Sequence, residues 1–553
     1  MRPAARRGVA AHVLAWTLAA AACTSRPDAG LPQPIAGGGT RAQPAPIAPD
    51  GRALLPVSLP DLSMMTPSVQ QQIRASHASL SAQVANRQTA IALLADAYGE
   101  LGKLLMAADY PEAAEPCFID AQRLAPGERR WPYYLAHVYR RRGDLDKAKT
   151  FFEQALQLRA DDVDTLVWLG DIALTQGRPE EAEPRFSRAL TLEPTSLSTR
   201  FGLGRVALAR QEYRRAVEYL EEVLKRDPEA AGAHYPLGMA YRGLGDAQKA
   251  DAHLRLRKTR EILPADPLMV DLEDLLESPQ VYESRGIRAL DKQQWPEAAA
   301  LFRKGLELAP DSAALQHRLG TAMFMMGDRA GAEARFEQAV RASPEYFPAQ
   351  YSLGVLLQEK GNHAVAIERF AAALRARPSY AEAQLRMATS LRRVGRAKEA
   401  LAQYQQVLAA NADLTEARFG RAMALVQLGR YREARDHLRA DAKAHPEQPI
   451  FAHGLARLLA AAPDDRVRDG DQAMTLVGEL LAREQRTLEL GETMAMALAA
   501  ATRYEEAVRV QRDLMRGVEN AGLRQVVPRL AVNLALYERG EPCRTPWPPD
   551  EIP

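Results

Sequence analysis

The chain has no excess of charge of either sign: 72 Lys and Arg residues against 70 Asp and Glu leave a net charge of +2 over 553 residues. Nucleic-acid-binding proteins carry a basic excess, and at whole-chain level there is none here. Aromatic residues are few, at 6%, while alanine, leucine, arginine and glutamate dominate after about residue 90. That composition favours helices over strands, and 47% hydrophobic residues are ample for a buried core.

Sequence motifs of catalysis are also missing. The chain contains no His-Glu-x-x-His, no P-loop and no Gly-x-Ser-x-Gly. Residues 202–207 fit Gly-x-Gly-x-x-Ala, but no strand is predicted before them, as dinucleotide binding requires. Residues 465–470 resemble a calcium loop, yet Val467 and Leu476 stand where oxygen ligands are needed. Three histidines are spaced by eight residues, too far to share a metal on one helix: His437, His445 and His453. The sequence therefore predicts no catalytic residue, no metal site and no cofactor.

The first 22 residues have the layout of an export signal. MRPAARRG is basic, VAAHVLAWTLAAA is apolar, and small residues precede Cys23. The apolar stretch is too short to span a bilayer, so we interpret residues 1–22 as a signal peptide. Two processing routes stay open. The small residues suit ordinary signal peptidase, and followed by Cys23 they also resemble a bacterial lipobox, in which Cys23 would be lipidated.

Residues 23–75 come next, rich in proline, glycine and alanine up to about Pro60 and without a periodic apolar pattern. Such a stretch buries too little surface to offset its ordering entropy. We predict a flexible linker over residues 23–75, which would hold the following domain away from a membrane.

Internal repetition is the strongest signal in the chain. Residues 319–344 read LGTAMFMMGDRAGAEARFEQAVRASP, and residues 353–378 read LGVLLQEKGNHAVAIERFAAALRARP, so that Leu-Gly, a central Gly, Ala, Phe, Ala and a closing Pro recur after 34 residues. The same period marks five units before residue 254 and five between residues 281 and 448. Each unit reads as two helices joined by a glycine turn and ended by proline.

The small residues of each unit predict where the two helices cross, because only a small side chain lets them approach closely. These repeat-structural positions are Gly102, Gly170, Gly204, Gly238, Gly286, Gly320, Gly354, Ala148, Ala182, Ala332 and Ala366.

These spacings resemble the tetratricopeptide repeat, over roughly residues 95–448. The resemblance implies an all-α superhelix of antiparallel helix pairs, an α-solenoid, in which the first helix of each pair lines a concave groove. It also implies that the residue two positions before each recurring Leu-Gly position points into the groove. Those positions give the groove-binding candidates, several of them aromatic: Tyr133, Phe201, Tyr235, His317, Tyr351 and Phe419. Tyrosine is frequent at this position of the repeat for packing as well, so recognition and packing both remain open.

The repeats divide the chain. We predict a first sub-array over residues 76–254, an insertion over 255–280, a second sub-array over 281–448, degenerate repeats and a cap over 449–540, and a proline-rich tail over 541–553. The insertion carries two helix-breaking prolines. It is either tolerated and changes the superhelical pitch, or it is a hinge or docking segment. Cys117 is expected to be buried in a repeat and far from Cys543 in the tail, which disfavours a disulfide.

The resemblance implies a protein that binds other proteins or peptides in its groove and catalyses nothing. Thr24, where an aspartate would retain a lipoprotein at the inner membrane, favours the periplasmic face of the outer membrane; a soluble periplasmic or secreted form is the alternative. The layout is similar to bacterial lipoproteins that assist secretin assembly or polysaccharide export. We expect membrane contact through the lipid anchor only, and no nucleic acid or small-molecule cofactor. A subunit that recruits substrates for a separate enzyme such as a glycosyltransferase is the other hypothesis, and self-association a third.

Overall fold

The computed structural model describes residues 46–257, 262–483 and 487–548, and in these residues it consists of 27 α-helices. This confirms the predicted all-α solenoid. One isolated antiparallel bridge, between Ile47 and Ala53, is the only β-type pairing in the described residues. The predicted signal peptide 1–22, Cys23 and the first part of the linker lie outside the described residues.

The first eleven helices cover the N-terminal end and the first sub-array. Their bounds are α1 Pro67–Ala85, α2 Ile91–Ala107, α3 Pro111–Leu124, α4 Arg130–Arg141, α5 Leu145–Leu158, α6 Val163–Thr175, α7 Pro179–Leu192, α8 Leu197–Ala209, α9 Tyr213–Arg226, α10 His234–Gly243 and α11 Ala247–Arg255. From α2 onward consecutive helices form five pairs that stack on one another.

A short helix separates the two sub-arrays, and fifteen more complete the chain. Their bounds are α12 Pro267–Glu273, α13 Pro279–Asp291, α14 Trp295–Leu308, α15 Ala313–Met325, α16 Arg329–Ala342, α17 Phe347–Glu359, α18 His363–Ala376, α19 Ala381–Arg393, α20 Ala397–Ala410, α21 Thr415–Gln427, α22 Tyr431–Ala444, α23 Pro449–Ala461, α24 Gly470–Arg483, α25 Leu488–Ala500, α26 Tyr504–Asn520 and α27 Val527–Glu538.

Close helix approach within a pair depends on glycine meeting an aromatic ring. A Cβ placed on Gly170 would lie 2.7 Å from the Phe186 ring, and one placed on Gly202 would lie 2.3 Å from it. Both distances are shorter than any relaxed carbon contact, so glycine is required on both sides of this ring. The other predicted crossing glycines meet a side chain in the same way, at 2.3 to 2.9 Å: Gly102, Gly204, Gly238, Gly286, Gly320 and Gly354. The alanines predicted at the crossings are fully buried: Ala148, Ala182, Ala332 and Ala366.

The turn between the two helices of a pair needs a left-handed residue. Gly143 fills that position with φ of +78° and Gly177 with +71°. In the described residues, four helix pairs have no glycine there, and Asp109, Gln211, Gln293 and Thr502 take the same conformation, with φ of 59 to 63°. Non-glycine residues adopt it at an energetic cost, so the stacking of the repeat sets the turn even where the sequence does not favour it.

Residues 46–66 are not the flexible linker that the sequence predicted. Leu54 and Leu62 are buried in the same core as α1 to α3, and the Leu55 amide donates to the buried Asp120 carboxylate at 2.6 Å. The Tyr110 hydroxyl holds the Asp61 carbonyl at 2.7 Å. The segment buries single side chains against the end of the helix stack, so it needs no periodic pattern to be ordered.

The tail also differs from its prediction. Cys543 and Trp547 are buried against the C-terminal helices, and the Arg457 guanidinium donates to the Pro546 carbonyl at 2.5 Å. Residues 541–548 therefore pack on the last repeats, while 549–553 lie outside the described residues. Across the described part of the chain, no helix combines the length and the apolar character needed to cross a membrane.

Candidate functional site

The first helices of the pairs in the first sub-array line a concave groove, which holds a cavity of about 570 Å³ between α6, α8 and α10. Four aromatic side chains form part of its wall: Trp168, Phe186, Phe201 and Tyr235. The other side is closed by the start of the inter-array segment, Ile262, Leu263 and Pro264. The cavity is therefore mainly apolar, with planar rings on one side.

The charged groups in the cavity wall are mostly arginines. Arg205 pairs with Asp171 at 2.6 Å, and the Arg140 guanidinium lies 4.2 Å from the centre of the Trp168 ring. Arg257 is the third arginine of the wall, and Asp171 is its one acidic residue. Arginine side chains in a cavity wall can donate hydrogen bonds to a negatively charged group of a ligand.

Two of the groove-binding candidates lie in this cavity. Tyr235 is 51% exposed, and the ring of Phe201 is half-buried, with the Arg205 guanidinium 5.6 Å from its centre. Both side chains line the cavity. Neighbouring pairs of the solenoid thus present two aromatic contacts to one ligand.

Tyr133 holds the equivalent repeat position in α4 but is only 1% exposed. Its ring packs edge-on against Phe152 and Tyr134, and burial raises the pKa of its hydroxyl. Tyr133 therefore packs the solenoid and does not line the open groove, in contrast to the prediction.

The candidates of α15 and α17 are also packed. Burial lowers the pKa of His317 to about 3, and its ring nitrogen is 3.0 Å from the Ser352 hydroxyl. The ring of Tyr351 is buried against Phe370 and Tyr380, and burial raises the pKa of its hydroxyl. His317 and Tyr351 therefore pack within the solenoid and are not exposed in the groove.

Phe419, the last candidate, borders a second cavity of about 400 Å³ between α21, α23 and α25. Arg457 and Glu492 form a buried ion pair in its wall, 3.6 Å apart. Trp547 from the tail closes it, with its ring 6.0 Å from the Arg457 guanidinium. Sequence reasoning did not find this cavity, because the repeat is irregular here and the tail joins it from 89 residues away.

Sequence reasoning also missed the most connected polar residue of the first groove, Asp266 in the insertion. Its carboxylate accepts a hydrogen bond from the Trp168 indole at 2.8 Å and lies 3.5 Å from the ring of His137. The other carboxylate oxygen caps α12 by accepting from the Met269 amide at 3.1 Å. One aspartate thus connects the insertion to α4 and α6 and also starts the short helix.

Burial shifts the pKa values of the titratable groups around Asp266. Burial lowers the pKa of the fully buried His137. Burial alone would raise the pKa of Asp266, but the polar groups of His137, Tyr133 and Trp168 around the carboxylate hold it below its usual value. The pKa of Asp164 is raised to about 6, by burial and then by the charge of Asp266. Near neutral pH the contact therefore joins a charged Asp266 to a neutral histidine.

The described residues hold no group of three or more His, Cys, Asp or Glu side chains arranged to bind a metal ion. Cys117 and Cys543 are both buried and not joined in a disulfide, and burial raises the pKa of each thiol. Neither is therefore poised as a nucleophilic thiolate. The arrangement is suited to binding through rings, apolar surface and arginines.

Comparison with known families gives the same architecture. Sequence models of the tetratricopeptide repeat match residues 128–193, 201–259, 289–357 and 391–458. Among curated proteins, none matches the chain.

Several solved structures resemble the chain. A tetratricopeptide repeat protein from Parabacteroides merdae is 18% identical, with 47% of this chain and 98% of that chain covered and a TM-score of 0.36. The repeat domain of P58(IPK) is 17% identical, with 74% and 98% covered and a TM-score of 0.27. Yeast Tom70 is 17% identical, with 77% and 99% covered and a TM-score of 0.28.

Proposed function

The chain is a tetratricopeptide repeat protein, and we propose that it is a non-catalytic scaffold of the bacterial cell envelope that binds a segment of a partner protein in its groove. Tetratricopeptide repeats typically mediate protein–protein interactions. The observation that carries the proposal is the cavity between α6, α8 and α10, where the half-buried Phe201, the exposed Tyr235 and three arginines surround about 570 Å³. That volume accommodates a large side chain and its neighbours in an extended peptide.

The chemistry of the cavity defines the partner segment. Phe201 and Tyr235 offer rings to an aromatic or branched apolar side chain. The Arg205 and Arg257 guanidinium groups in the cavity wall can donate hydrogen bonds to a carboxylate next to it. The proposed ligand is therefore an extended segment with a large apolar residue beside an acidic one.

The envelope location rests on the N-terminal sequence. We propose that residues 1–22 direct export and that Cys23 is lipidated, which anchors the scaffold at the periplasmic face of the outer membrane. Each buried methylene of an acyl chain contributes about 0.8 kcal/mol to membrane binding. Because the acyl chains would be attached to Cys23, membrane binding would depend on this residue.

We expect a Cys23→Ser variant to move from the membrane fraction to the soluble periplasmic fraction, because serine cannot receive the lipid. Membrane flotation followed by mass spectrometry of the mature N-terminus measures both the location and the modification. If the wild-type chain is soluble and its N-terminus unmodified, ordinary signal peptidase processes it and the anchor is excluded.

The groove itself is tested with the double variant Phe201→Ala and Tyr235→Ala. We expect its recovery of partners from detergent-solubilised envelopes to fall at least about tenfold, because two aromatic contacts at the centre of a cavity carry a large share of binding energy. Quantitative mass spectrometry of the co-purified proteins measures the loss.

The matched control is Leu192→Ala with Val532→Ala, two exposed apolar side chains outside the cavity wall. Circular dichroism checks that both double variants fold. Equal recovery of partners with the cavity variant and the control would show that the cavity is not the recognition site.

A further inference from the structure

Part of the groove is already occupied by the chain itself. Residues 262–278, which we call the groove segment, connect the two sub-arrays and lie along the first helices of the first one. The segment starts at the cavity wall with Ile262, contacts α6 and α4 through Asp266, and continues as α12 against α2. The sequence left open whether this insertion changes the pitch or is a hinge or docking segment; in the structure, residues 262–278 lie against the first sub-array.

Groove side chains hold the main chain of the groove segment. The Tyr134 hydroxyl donates to the Leu268 carbonyl at 3.3 Å. At the other end, the Gln72 side chain from α1 donates to the Leu275 carbonyl at 3.0 Å and accepts from the Glu277 amide at 2.9 Å. Side chains that project from α1 and α4 thus bind the main chain of the groove segment directly.

The side chains of the groove segment face two ways. Leu272 is 3% exposed and belongs to the core formed by α1 to α6, and Leu268 and Met269 pack against that core. Val270, on the opposite side of α12, is 46% exposed. The segment is thus a short amphipathic helix with an aspartate at its start, laid into an apolar groove.

The conformation of the groove segment depends on this groove. Asp266 has a φ of +37°, in the left-handed region that non-glycine residues avoid. A helix of seven residues is marginal without tertiary contacts. The groove therefore selects this conformation, as a receptor selects the bound form of a flexible ligand.

We propose that the groove over α1, α2, α4 and α6 is a peptide-binding site, that the groove segment is its intramolecular ligand, and that a partner segment of the same chemistry binds there by displacing it. The partner segment has an aspartate that starts a short helix and leucines on the face one turn later. The proposal rests on the proposed function only in placing recognition on the concave face; its site adjoins the first cavity, and α6 and Ile262 border both.

Tethering keeps the site closed in the free chain. A ligand attached by a short connection has an effective concentration in the millimolar range, so a partner must bind more tightly or be held nearby by another contact. The cavity beside Ile262 supplies such a contact. A partner bound at Phe201 and Tyr235 would lie next to the first residues that have to leave.

The test uses a fluorescent peptide with the sequence of residues 262–278, ILPADPLMVDLEDLLES, and the full chain. Anisotropy is measured for the wild type and for a variant with Asp266→Ala and Leu272→Ala, which weakens the intramolecular ligand and leaves the groove unchanged. We expect at least about tenfold tighter peptide binding to the variant, because the tethered competitor is weaker.

Two controls isolate the contact. A peptide with asparagine in place of the first aspartate is expected to bind the opened variant about tenfold more weakly, since the hydrogen bond from Trp168 loses its charged acceptor. A Val270→Ala variant, changed on the exposed side of α12, is expected to bind the peptide as poorly as the wild type.

Two results overturn the proposal. The opened variant either folds with a wild-type circular dichroism spectrum and fails to bind the peptide, or loses the fold of α1 to α6 by hydrogen exchange, which makes the segment part of the core. Neither result affects the partner recovery measured with the Phe201 and Tyr235 variant. The two proposals therefore fail separately.

Discussion

Replacing Glu492 by glutamine is expected to destabilise the C-terminal repeats by about 3 kcal/mol. The Glu492 and Arg457 side chains are 1% and 6% exposed and lie 3.6 Å apart, so the change leaves the Arg457 charge buried without that partner. Removal of one member of a buried ion pair costs about 3–5 kcal/mol. The lower end applies because Arg457 keeps the Pro546 carbonyl and the Thr493 hydroxyl as neutral acceptors. Urea unfolding, with hydrogen exchange over α23 to α27, measures the loss and its location.

Two comparisons decide whether burial is the cause. The double variant Arg457→Met with Glu492→Leu is expected to be more stable than Glu492→Gln, because it removes both charges together. Glu506→Gln removes one member of an exposed pair with Arg503, 2.7 Å apart, and no measurable change is expected there. If Glu492→Gln behaves like Glu506→Gln, water reaches the Arg457 pair and the C-terminal cavity is open.

The helix pairs could be predicted from the sequence because their contacts are local and periodic. Gly170 and Phe186 are sixteen residues apart and meet within one repeat, so a small residue and a large apolar residue recur at this spacing from repeat to repeat. Only some of the turns could be predicted from the sequence. Gly143 indicates its turn, but Gln211 takes the same left-handed conformation without any sequence signal, because the stacking of the helices imposes it.

The non-repeating segments that pack on the helix pairs could not be predicted in the same way. Gln72 holds the Leu275 carbonyl across 203 residues, and Leu55 binds Asp120 across 65. Each of these contacts occurs once, so no period reveals it. A segment that follows a groove made by other helices has its side chains chosen by that groove and not by its own periodicity.

In the candidate site too, the repeat position of a residue could be predicted from the sequence, but its exposure could not. Tyr133 and Tyr235 hold the same repeat position, yet one is 1% and the other 51% exposed. The repeat fixes the direction in which a side chain leaves its helix. Whether that side chain is exposed depends on residues distant in the sequence. Near Tyr133, Asp266 of the groove segment covers it.

Phe186→Ala is expected to cost about 3–5 kcal/mol, the usual range for truncation of a buried phenylalanine. The Phe186 ring is almost fully buried and fills the space between Gly170 in α6 and Gly202 in α8, so its loss leaves a cavity that joins two repeats. Leu192→Ala, an exposed leucine at the end of the same helix α7, is the control and is expected to be close to neutral.

A second substitution tests whether the ring and the glycine share one space. Gly202→Ala alone is expected to destabilise the chain by about 1–3 kcal/mol, since its methyl group would overlap the ring. In the Phe186→Ala background the same change is expected to be neutral or stabilising, because the methyl group enters the space the ring has left. If the stability costs of the two single substitutions simply add in the double variant, the two residues do not touch.

Each repeat contacts only its neighbours, so the loss of stability is expected to stay within α6 to α8. Hydrogen exchange should show this loss there, while the second sub-array keeps its protection.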